Sequence, residues 1–101
     1  MTKRFSAKDP IEILLITFDF SSLMVSATEA INSVEWHSTV ADGTDSTPQT
    51  MIGTPTWDAN TTSCLVKDGI TGVSYIIYAV VTTTLGQKLK LSGNMPVVTQ
   101  G

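Results

Sequence analysis

One histidine, one cysteine and nine carboxylates are the groups of this 101-residue chain that could carry nucleophilic, acid-base or metal chemistry. A cysteine nucleophile needs its histidine within hydrogen-bond reach. In "AINSVEWHSTV" the two-residue period of a strand sends Val34, Trp36, Ser38 and Val40 to one face and Glu35, His37 and Thr39 to the other. His37 then points outward, whereas Cys64, in "TTSCLVKD", shares an inward face with Thr62 and Val66. The pair does not meet, and a structural zinc site fails for want of ligands. No catalytic residue, metal ligand or cofactor is expected.

The carboxylates offer two candidates. Asp42 and Asp45 in "DGTD" suggest a calcium loop or a glycosidase pair, but the stretch lacks the further ligands and terminal Glu of a calcium loop. Asp is favoured in turns because its side chain bonds nearby backbone, and a turn is the reading adopted. Trp57 beside Asp58 would make a sugar-stacking platform with a hydrogen-bonding neighbour. The competing reading is a tryptophan packed at a sheet edge, in line with the ordinary burial of aromatics.

Strands must position all of these groups. Hydrophobic residues make up 42% of the chain and charged residues 15%, with 16 Thr and 10 Ser supplying the polarity. Thr, Val and Ile are stiff at χ1 and fit a pleated surface. The run "IEILLITFDF" puts Leu14, Ile16, Phe18 and Phe20 on its core face, and Glu12 interrupts it too early for a membrane span. A short edge strand is expected around Met51 and Ile52, and "ADGTDSTPQT" (41–50) reads as loop. With no apolar period of 3.6 residues, the chain is expected to form about seven strands packed sheet on sheet, as a sandwich or small barrel.

A net charge of −3 and scattered basic residues give no reason to expect nucleic-acid binding. Lys3, Arg4 and Lys8 suggest a flexible basic arm over 1–8, followed by one domain over 9–101. Cys64 has no partner for an internal disulfide, as suits synthesis in a reducing cytosol.

The stretch "GVSYIIYAVVTTTLGQKLKL" (72–91) reads as a hairpin whose first strand is apolar on both faces. Tyr75, Ile77, Ala79 and Val81 face inward. Ile76, Tyr78 and Val80 face outward, and with Leu65, Ile13 and Leu15 they are expected to form one apolar patch covered by another subunit. Alternatively, the loop 41–57 folds over that face within the monomer.

The order of "KDP" (8–10), "FDFSS" (18–22), "TEAI" (28–31) before the Trp36 strand, and "TTSCLVKDGITGVSYIIYAVVTTTLGQ" (61–87) resembles short immunoglobulin-like proteins encoded among the structural genes of tailed phages and prophages. Phe20 stands where that family usually has tryptophan, and "QKLKLSGNMPVV" replaces its basic last strand. The resemblance implies an all-β, immunoglobulin-like sandwich of about seven antiparallel strands, with Trp36, Tyr75, Phe18 and Phe20 in the core. It implies a non-enzymatic virion protein made in the host bacterial cytoplasm. The leading expectation is a head decoration or cement subunit bound to other virion proteins, chiefly the major capsid protein, with homo-oligomers possible. The alternative is a receptor- or glycan-binding module of a tail or fibre, with Trp57 and Asp58 on its surface.

Overall fold

The computed structural model describes residues 2–4, 7–26 and 28–99. Seven strands occur in the order β1 (Thr2–Arg4), β2 (Leu14–Asp19), β3 (Ile31–Asp42), β4 (Thr56–Trp57), β5 (Thr61–Val66), β6 (Ser74–Thr83) and β7 (Lys88–Pro96). They form a four-stranded sheet, β1-β7-β6-β3, and a three-stranded sheet, β2-β5-β4. Two single 3-10 turns, Ser21–Leu23 and Pro48–Met51, are the helical elements among the described residues. The protein is an all-β sandwich.

Strict alternation builds its interior. Along β6 every second residue, from Tyr75 to Thr83, is buried, and β5 buries Thr62, Cys64 and Val66. From the opposite sheet Trp36 stacks obliquely on Phe18, with ring centroids 5.1 Å apart. Phe20, Ile77, Ala79, Val81 and Met95 complete a core that is closed to solvent. Thr62 is a polar side chain on the inward face of β5, and its hydroxyl is bonded on both sides. It accepts from the Trp36 indole Nε1–H at 2.9 Å and donates to the Thr56 carbonyl at 2.8 Å, which ties the short β4 to the core.

The structure departs from the sequence reading in three places. Thr2–Arg4, expected in an arm, pair with Ser92–Asn94 of β7, and in parallel, so the sandwich is not wholly antiparallel. Lys8 also lies beside the end of β7: its N–H donates to the Pro96 carbonyl and its carbonyl accepts from the Val98 N–H. Met1, Phe5 and Ser6 of the expected arm lie outside the described residues. The Lys8 side chain is buried, and its Nζ donates to the carbonyls of Asp9 and Asp68 at 2.9 and 2.7 Å. Burial holds its pKa below the ordinary value against the pull of Asp68, Glu12 and Asp9. Charge alone makes Lys8 look solvated; the Asp68 carbonyl, 60 residues away, makes it structural.

The second departure is the edge strand expected near Met51. Met51 instead ends a 3-10 turn and is buried, and Ile52 makes a single bridge to Val66. The short edge strand on this side of the sheet is β4, the two residues that follow Pro55. The third concerns the loop 41–57, which does not lie over the outer face of β6. It runs along the free edge of β3, where the Gln49 side chain accepts from Ser38 N–H at 3.1 Å and donates to the Trp36 carbonyl at 3.0 Å. Gln49 thereby occupies two edge groups that a further strand would otherwise use.

Candidate interaction surfaces

The six residues expected in one apolar patch occupy two opposite surfaces. Ile76, Tyr78 and Val80 project from β6 in the four-stranded sheet, and Leu15 and Leu65 from β2 and β5 in the three-stranded sheet, with Ile13 just ahead of β2. Alternation tells a side chain to leave the core but not through which sheet it leaves. The joint patch is therefore corrected to two unequal surfaces.

The β6 surface is largely covered from within its own sheet. Tyr78 lies between His37 on β3 and Ser92 on β7, and Val80 lies between Glu35 and Lys90. The His37 ring stacks on Tyr78 with centroids 5.1 Å apart, and the Lys90 ammonium sits 4.4 Å from the centre of the same ring. Long polar side chains laid along an apolar row leave Ile76, Tyr78 and Val80 partly buried. The apolar second face of β6 is thus roofed by the neighbouring strands' polar groups.

The opposite surface has no such roof. Leu15 is 65% exposed, Leu65 51% and Ile13 61%. Leu15 and Leu65 are direct register partners, so their side chains stand together. Next along the same face, the Thr17 and Ser63 hydroxyls are hydrogen bonded at 2.7 Å.

At the far end of this sheet Trp57 is 48% exposed beside a shallow depression lined by Thr56, Trp57, Asp58, Thr61 and Ser63. Asp58 is engaged in the β4–β5 turn. Its Oδ1 accepts from Asn60 N–H, Thr61 N–H and the Thr61 hydroxyl at 2.9 to 3.1 Å, with Thr61 N–H the main cause of a lowered pKa. Asp45 likewise accepts from Thr47 N–H, which closes the turn, and takes a 2.7 Å hydrogen bond from the Tyr75 hydroxyl. That hydroxyl also accepts from Ile70 N–H at 2.9 Å, so one buried tyrosine joins two loops. Cys64 is buried, its thiol pKa raised by desolvation, while His37 lies on the outer face of the other sheet.

Sequence reasoning missed Glu29. This buried carboxylate accepts from the Thr83 hydroxyl, from Gln87 Nε2 at 2.9 Å and from Val25 N–H at 2.9 Å. The Thr83 hydrogen bond is the main cause of its lowered pKa. A glutamate in a polar connection carries no signal of this; only the meeting of residues 54 and 58 apart reveals the clamp.

Residues 8–95 match the family model of Gp77, described as podophage GP4 fiber-tail adaptor protein gp77. The chain belongs to the Gp77 family. It is accordingly a phage structural protein, located in the virion and bound to other virion proteins. The Gp77 description names tail and fibre, so it supports the tail or fibre alternative and gives no support to a head decoration or cement role. No curated protein and no solved structure matched this Gp77 chain.

Proposed function

We propose that this protein is a fibre-tail adaptor, a non-enzymatic block that holds a tail protein and a fibre protein through separate surfaces. The match of residues 8–95 to a family described by that role carries the reading. One of the two partners in this reading docks on the exposed apolar face of Ile13, Leu15 and Leu65, while the β6 face, roofed by His37 and Lys90, offers a separate polar surface. The non-enzymatic part is supported by the way the reactive groups are used: Cys64 is buried, and Glu29, Asp45 and Asp58 are held by backbone and hydroxyl donors.

We read the sandwich as immunoglobulin-like. The neighbour order β3-β6-β7 with β2-β5-β4 corresponds to strands C-F-G and B-E-D of that fold, and the Tyr75 hydroxyl bonded to Ile70 N–H corresponds to its tyrosine corner.

Deleting the gene and analysing purified particles by mass spectrometry tests the role. The adaptor reading expects the fibre protein to disappear together with this one, and both to return on complementation. Particles that keep their fibres would contradict it, and fragile capsids on fibred particles would restore the decoration role.

A further inference from the structure

The most open feature of the fold is the outer edge of β2. Phe20 N–H donates to the Asn60 carbonyl at 2.8 Å, and the ladder continues as Phe18↔Thr62, Ile16↔Cys64 and Leu14↔Val66. In an antiparallel pair, residues alternate between exchanging hydrogen bonds with the partner and turning N–H and C=O the other way. Leu15 and Thr17 therefore aim their backbone groups away from β5, and β2 is the terminal strand of its sheet among the described residues.

Other sheet edges carry protection. Gln49 occupies the β3 edge; β4 is two residues long and follows Pro55; β1, at the remaining edge, is three residues long. By contrast β2 runs six residues in unbroken register, with no proline, lysine or bulge. Such an edge is a template for strand addition unless something covers it.

The chemistry of the edge narrows its occupant. Beside the free backbone groups stand Leu15 and Leu65, which call for an apolar side chain on the added strand. At the other end Asp19 is the register partner of Thr61, whose hydroxyl donates to Asp58 at 2.9 Å, so two carboxylates stand close together and favour a basic residue. A second copy fits poorly. In the antiparallel registers that pair Leu15 and Thr17 with each other or with themselves, Asp19 falls opposite Ile11, Ile13 or Leu15 of the other chain.

We infer that the open edge of β2 takes up an extended segment of a partner virion protein, which pairs with Leu15 and Thr17, lays an apolar side chain on Leu15 and Leu65, and sets a basic residue by Asp19 and Asp58. This rests on the adaptor reading and assigns that role a surface and a mode of binding.

The test is amide hydrogen exchange on the full chain, alone and bound to particles of a phage from which this gene is deleted. Leu15 and Thr17 are expected to exchange fast in the free protein and slowly on the particle. Thr17→Pro removes an outward N–H without touching the β2–β5 ladder, so it should fold and bind particles about tenfold or more weakly. Leu15→Lys, a surface change, should weaken binding as well if the proline variant fails to fold. Bound wild-type protein with Leu15 and Thr17 still exchanging fast would overturn the edge alone. Wild-type protein that does not bind these particles would sink the adaptor reading and the edge with it. Protection that grows with protein concentration, without particles, would make a second copy the occupant and overturn the inferred partner.

Discussion

Tyr75 concentrates the residue-scale chemistry of the fold. Its hydroxyl lies in the core margin, accepting from Ile70 and donating to Asp45, so burial and the Asp45 carboxylate both raise its pKa. Tyr75→Phe keeps the ring but leaves the Ile70 N–H without its partner, and should cost about 1 to 3 kcal/mol in thermal or denaturant unfolding. Removing a whole buried aromatic is worse: Trp36→Ala should cost about 3 to 5 kcal/mol, and it also strips Thr62 of its indole donor. Acid sensitivity follows from the carboxylates. Asp19, Asp45 and Asp58 are held below their ordinary 3.8, and Glu29 below 4.5, chiefly by backbone donors for the aspartates and the Thr83 hydroxyl for Glu29. Below those ordinary values the unfolded chain takes up protons before the folded one, so the contribution is full above about pH 5 and is lost as pH falls through the folded-state values. Melting temperature should be level from neutral pH to about 5 and fall below it, less steeply in Asp45→Asn. A fall that begins above pH 6 would point to other groups.

At the scale of elements, alternation made much of the sandwich legible. The inward faces carrying Ile16, Cys64, Val66, Ile77 and Val81 can be read from period two alone, and so can the hairpin turning at Gly86. What cannot be read is which sheet a strand joins, because period two fixes a side and not a neighbour. That is why Ile76 and Leu65, both outward, looked like members of one patch although they lie on opposite surfaces. Contacts made across long stretches of sequence were hidden for a related reason. Lys8 reaches Asp68, Glu29 reaches Thr83, and β1 finds β7 through a register that no local pattern encodes. Gln49 is the clearest case: a polar loop residue by sequence, it is the stopper on the β3 edge. Gln49→Ala should lower stability by about 1 to 2 kcal/mol and raise self-association, because Ser38 N–H and the Trp36 carbonyl lose their partner. A variant that melts and sediments as the parent does would show that the stopper contributes nothing.

At the scale of the whole molecule, the proposed adaptor role calls for a block with surfaces for two partners. The chain spans 46 Å along its length and 20 Å across, with one long surface roofed by its own polar side chains and the other left apolar beside an open strand edge. That asymmetry would give the proposed adaptor two chemically different surfaces for its two partners, in keeping with the fibre-tail role in the description of its family. The most direct test is a cryo-EM map of the intact virion compared with one from particles lacking the gene. The proposed role predicts that a sandwich of these dimensions fits density where the fibre meets the tail, with the β2 edge against a neighbouring chain, and that this density and the fibres vanish together in the deletion. Density for the protein on the capsid surface, with fibres still attached when the gene is gone, would contradict it.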